Sequence, residues 1–137
     1  MGYQLAYDPF NRILVLSLHG RVNDQTMLRV YHLLGSSWGY YGACSYILDL
    51  TEATDISVAS TTIKEIVKRK PNLLPLVAHG AVAPSKAAQK MMRVFQFLTV
   101  NTRPTFQVFG SMSEALRLMN VPPDKFAPMK EDFPEVA

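Results

Sequence analysis

Ser57, Ser60, Thr61 and Thr62 crowd the stretch where a helix is expected to begin. The first turn of a helix offers unpaired backbone N–H groups and the positive end of its dipole. Hydroxyls there suit an anion or a phosphorylated side chain. A plainer use competes, in which Ser57 caps the helix and the others face water, and caps are the commoner use. Asp55 lies two residues ahead of Ser57. On the next predicted helix, Lys86, Lys90 and Arg93 recur at i, i+4 and i+7, a basic stripe beginning beside the same edge of the sheet. It suits phosphate or an acidic partner, or is simply a solvated face. Asp55, Ser57, Ser60, Lys86 and Lys90 therefore form the candidate binding set. A separate candidate surface is Trp38, Tyr40 and Tyr41, spaced by Gly39 and Gly42. Rings in such a loop either plug the core or offer contact area, and in the second case a homodimer is the simplest use.

Catalytic chemistry finds little support. His19, His32 and His79 share no metal-ligand spacing and stand in no recognised motif with Glu or Cys. Asp49, His79 and Ser57 form a triad on paper only, lacking a nucleophile elbow or an oxyanion loop. Gly35, Gly39 and Gly42 do not have the spacing of a phosphate loop. The expectation is a protein that is not an enzyme, with no cofactor and no metal. The lone Cys44 excludes an internal disulfide and fits a reducing cytoplasm. The first ten residues carry no signal peptide pattern, and the apolar runs 13–18 and 94–100 are too short to span a bilayer. A cytoplasmic location without a membrane span is expected. The net charge of +3 comes from basic residues mixed with acidic ones, so nucleic acid is not an expected partner.

These side chains need a scaffold, and 137 residues suffice for one core. Tyr3, Leu5 and Tyr7 alternate with polar or small neighbours as in an edge strand, and Asp8–Asn11 turns the chain. Ile13–Leu18 is apolar almost throughout, as a strand covered on both faces requires, ending at His19 and Gly20. Asn23 or Asp24 caps a first helix carrying Met27, Val30, Tyr31 and Leu34. Cys44–Leu50 forms the third strand and Thr51–Asp55 a polar connection. The second helix has an apolar side of Val58, Ile63, Ile66 and Val67 and stops at Pro71. Residues 81–83, extending back toward Leu76, make a fourth strand. Ser85 caps a third helix to about Val100, with Ala88, Met91, Met92, Phe95 and Leu98 inward. Thr105–Phe109 is a fifth strand, and Ser111 with Glu114 makes a capping box for a short last helix. From Val121 on, four prolines are expected to interrupt regular structure. The expected organisation is one α/β domain over residues 1–120 with a proline-rich tail over 121–137. Its sheet is mainly parallel and five-stranded, with an antiparallel N-terminal edge strand and about four helices. The tail either docks as an extended strap or stays disordered, and its composition leans toward docking.

This order of elements, with the stretches Tyr7–Leu18, Ile47–Ser57 and Val108–Leu118, resembles the STAS-like proteins. That bacterial group is similar to anti-sigma-factor antagonists and distantly to CRAL-TRIO lipid-exchange domains. The phrases carrying the resemblance are Ile47, Leu48, Asp49, Leu50 after a strand, and Val108, Phe109 leading into Ser113, Glu114, Ala115, Leu116. It implies a βα superhelical fold and a binding or switching role. Antagonists of that family carry an aspartate followed by two hydroxyl residues and a glycine, whereas this chain has Asp55, Ile56, Ser57 and Val58, so the phosphoswitch transfers poorly to Ser57.

Two functions follow as expectations. One is a non-enzymatic regulatory or protein-interaction module acting on a protein partner or as a homodimer. The alternative is a carrier or sensor for a lipid or other apolar small molecule. In that case Met91, Met92, Phe95 and Phe97 would line the cavity, and Lys86 or Lys90 would meet an anionic head group. Core packing explains the same apolar composition.

Overall fold

The computed structural model describes residues 2–30, 32, 45–73, 79–98 and 106–133. Strands β1 (Gly2–Asp8) and β2 (Ile13–Asn23) form an antiparallel hairpin, paired from Gly2 with His19 to Asp8 with Ile13. Asp8 sets the turn: its Oδ1 accepts the N–H groups of Phe10 and Asn11 at 3.0 and 3.1 Å, while Arg12 takes a left-handed φ of 57°. Strands β3 (Ser45–Asp49), β5 (His79–Val82) and β6 (Phe106–Phe109) run parallel to β2. With β7 (Met129–Phe133) outside β1, the sheet order is β6-β5-β3-β2-β1-β7. Strand β4 (Ala53–Ser57) pairs with the far half of β2.

The first half of β2 alternates between two covered faces, which is why residues 13–18 read as apolar apart from Ser17. Leu14, Leu16, Leu18 and Val22 meet the helix over residues 24–30 (α1), α2 (Ser60–Leu73) and α3 (Lys86–Leu98) through Met27, Ile63, Ile66, Met92 and Phe95. Ile13 and Val15 lie on the opposite face with Ile47, Val82 and Phe109, under α4 (Met112–Leu118) and the segment carrying Val121 and Phe126. The caps act as their residue types dictate. Asn23 Oδ1 accepts from Thr26 N–H at 3.0 Å, and Ser85 Oγ from Ala88 N–H at 3.1 Å. Ser111 Oγ accepts from Glu114 N–H at 3.2 Å, but Glu114 reaches past the cap to the N–H of Gly110.

The expected mixed α/β class holds, with two strands more than the sequence suggested. β2 continues past Gly20, whose φ of 80° accompanies a register shift against β4. Residues 53–57, expected as a polar connection running into a helix, are therefore strand. Ser57 ends that strand opposite Asn23, so it is not the cap of α2. Val58 lies ahead of the helix rather than on its apolar side. α2 runs two residues past Pro71, since a proline in a last turn removes only one hydrogen bond. The prolines after Val121 do not prevent regular structure, because they fall around a short 3-10 turn (Pro123–Lys125) and β7 rather than within that strand. β7 covers the outer side of β1, so the Tyr3–Tyr7 strand is not an edge and offers no free ladder to a second copy.

Candidate functional site

The extension of β2 and its partner β4 carries the chain to the carboxyl edge of the sheet, where the helices on that face begin. Asn23 closes β2 and caps α1 at once. Its neighbour Asp24 projects across to α2, where Oδ1 accepts the Ala59 N–H at 2.8 Å. Ala59 in turn supplies the carbonyl for the N–H groups of Thr62 and Ile63, at 3.1 and 3.2 Å, which places it at the N-cap of α2. An alanine brings no side-chain oxygen to that position. A carboxylate 35 residues earlier in the chain meets this turn instead, tying the starts of α1 and α2 together.

Between these helix starts and α3 lies a groove of about 640 Å³. Ile56, Val58, Met91 and Val94 give it an apolar floor, and Asp24, Ser57, Ser60 and Lys90 give it polar edges. Both hydroxyls and Lys90 are exposed. Of the candidate binding set, the structure thus brings Ser57, Ser60 and Lys90 together. Lys86 is exposed one turn before Lys90, outside the groove lining. Asp55 turns away to Arg21, 3.3 Å from its Nε, both side chains being well exposed at 61% and 73%. The Asp24 carboxylate already holds the N–H that an anion at this helix start would use, so the groove suits a phosphate less well than the sequence suggested.

Other sequence candidates separate. Asp49 Oδ1 accepts from the Thr51 N–H and hydroxyl at 3.0 and 2.6 Å, so one carboxylate oxygen of the paper triad serves the local turn. The side chain of His79 and the rings Trp38, Tyr40 and Tyr41 lie outside the described residues. Among the described residues no three His, Cys, Asp or Glu side chains gather as a metal site, and no helix is long and apolar enough to cross a membrane. Met91, Met92 and Phe95 are buried in the helix–sheet core, whereas Phe97 is 77% exposed and does not join them. A second, open groove flanks α4, lined by Ser113, Arg117, Asn120 and Pro122.

The residue that sequence reading missed at this site is Asp24 in its role toward α2. No local signal announces it, since its target is set by the pairing of β2 with β4.

Comparison with solved structures fixes the architecture. An anti-sigma factor antagonist from Mycobacterium paratuberculosis superposes with a TM-score of 0.62, at 16% identity, over 88% of this chain and 95% of that one. The chain has the STAS fold. The antagonist SpoIIAA in its unphosphorylated form matches at a TM-score of 0.55 and 16% identity, over 86% of this chain and 97% of that chain. The Bacillus cell fate determinant SpoIIAA in its phosphorylated form matches at 0.52 and 16% identity, over 85% and 97%. No family model and no curated protein matches the sequence. At this identity the likeness shows the fold. In this STAS fold the groove lies outside the carboxyl ends of parallel strands, a common ligand position in open α/β sheets.

Proposed function

We propose that this chain is a non-enzymatic regulatory module that binds a partner protein through the surface where β4 ends and α2 and α3 begin. The observation that carries the reading is the groove itself. A concave apolar floor of Ile56, Val58, Met91 and Val94 sits beside exposed Ser57, Ser60 and Lys90. A floor that accepts apolar side chains, ringed by groups that stay hydrated until contact, has the anatomy of a protein-binding patch. The fold it shares with proteins described as anti-sigma factor antagonists supports a role exerted by binding rather than turnover. Ser57 and Ser60 are exposed hydroxyls on the rim. A phosphoryl group on either would bring negative charge beside Asp24 and weaken its tie to Ala59, which gives the surface a means of regulation.

The test is photo-cross-linking in cells of the source organism, with a photoreactive residue placed at Ser60 or, on the opposite face of the sheet, at Asp124. A discrete protein adduct from Ser60 and none from Asp124 is the expected result. No adduct from Ser60, or the same adducts from both positions, would defeat the reading.

A further inference from the structure

The two helices that bound the groove are basic. α2 presents exposed Ser60, Lys64 and Lys68 at i, i+4 and i+8, and α3 presents exposed Lys86, Lys90 and Arg93 at i, i+4 and i+7. Both helices follow parallel strands and start at the same edge of the sheet, so the two stripes run in the same direction along adjoining helices. Across the two helices Glu65 is the one carboxylate in the sequence. None of Lys64, Lys68, Lys86, Lys90 or Arg93 forms an ion pair with another described residue. Lys90 stands on the edge of the apolar strip, and the other four cations lie on the outer sides of the two helices that bound it, so the surface around the groove carries positive charge.

Resting on the reading above, we propose that the groove receives an acidic amphipathic helix of the partner protein. Its apolar face would lie on Ile56, Val58, Met91 and Val94, and its carboxylates would lie toward the lysines and Arg93. A helix laid in a groove between two helices presents side chains at i, i+3, i+4 and i+7, which matches a narrow apolar floor with polar banks. The apolar row supplies the affinity, and the exposed charges steer encounter and select the partner's sign. A membrane is disfavoured because its flat surface does not reach a concave floor and because Asp24 stands on the rim. Nucleic acid is disfavoured because, among the described residues, the lining side chains include no aromatic ring on which bases stack.

The probe is a synthetic helical peptide with Leu at i, i+3, i+4 and i+7 and Glu elsewhere, titrated into the full chain and followed by amide chemical shifts. Shifts are expected at residues 56–63 and 87–94, with affinity falling as salt rises. The triple variant Lys86→Glu, Lys90→Glu, Arg93→Glu should lose at least tenfold in affinity. The neutral variant with Gln at those three positions should lose less, with far-ultraviolet circular dichroism unchanged in both. Failure of the peptide to bind, equal binding of a version with Lys in place of Glu, or indifference to charge reversal would overturn the proposal. So would binding of phosphatidylglycerol vesicles or a single-stranded oligonucleotide in place of the peptide. If the Ser60 adduct forms in cells while the peptide and charge-reversal results are negative, the protein-binding function stands and the acidic helix falls. If that adduct is absent, the binding reading itself falls.

Discussion

Asp8→Asn is expected to loosen the C-terminal segment selectively. Asp8 is only 2% exposed, and its two oxygens have different duties. Oδ1 accepts the turn N–H groups of Phe10 and Asn11. Oδ2 accepts from Asn11 Nδ2 at 2.7 Å and from Ala127 N–H at 3.3 Å, and Asn11 Nδ2 also donates to the Lys125 carbonyl at 2.9 Å. Asparagine keeps one acceptor but sets an amide N–H₂ against those two donors. Hydrogen bonds to a charged group contribute about 1.5–3 kcal/mol each, and the Ala127 contact is long, so a loss of about 2–3 kcal/mol is expected at pH 7. That corresponds to roughly 8 °C in Tm for a domain of this size. Burial raises the Asp8 pKa, but the hydrogen bonds from the Asn11 side chain and from the N–H groups of Asn11, Ala127 and Phe10 outweigh it and hold it below the usual carboxylate value. A lowered folded pKa stabilises fully above the unfolded value near ~3.9 and ceases to do so as pH falls through the folded value. The difference between wild type and variant, measured by urea unfolding, should therefore be largest at neutral pH and shrink below about pH 4. Hydrogen exchange should quicken in 127–133 while the α2 and α3 amides keep their protection. A difference at pH 7 below about 0.5 kcal/mol, or one that persists undiminished at pH 2, would refute this reasoning.

Four further substitutions probe other parts of the account. Phe95→Ala, at a ring 1% exposed beneath α3, should cost about 3–5 kcal/mol in urea unfolding through the cavity it leaves. Gly80→Ala should cost about 2–3 kcal/mol by overpacking, because a Cβ there would stand 2.5 Å from the Gln107 carbonyl oxygen and 2.9 Å from the Phe109 ring. Its effect should appear as faster hydrogen exchange along β5 and β6. Ser57→Ala should change stability by less than about 0.5 kcal/mol, since this exposed residue ends a strand and caps nothing. Asp24→Ala should cost about 1 kcal/mol, reversing the order that a helix-cap role for Ser57 would give.

Much of the scaffold was legible because its signals are local. The nearly continuous apolar run at the start of β2 announced burial on both faces. Asn23, Ser85 and Ser111 marked three helix starts, and Met91, Met92 and Phe95 marked the buried side of α3. What escaped was written in pairings across the chain. The sequence Ala53-Thr54-Asp55-Ile56-Ser57 is mostly exposed and reads as a loop, and it becomes a strand only because β2 continues beyond Gly20 to pair with it. β7 hides behind prolines that fall outside the strand itself, and Asp8, which reads as a simple turn residue, also holds Ala127. At the site, the exposed hydroxyls and Lys90 were visible as types. The apolar floor beneath them and the tie from Asp24 to Ala59 follow from topology.

The central claim is that the groove between β4, α2 and α3 holds the protein partner. Its most direct measurement is calorimetric titration of the chain into the protein that cross-links to position 60, comparing wild type with Ala87→Trp. Ala87 is exposed in the first turn of α3 and lines the groove, so a tryptophan fills it without entering the core. The account predicts at least a tenfold loss of affinity at unchanged Tm. Unchanged affinity with the groove filled would contradict it.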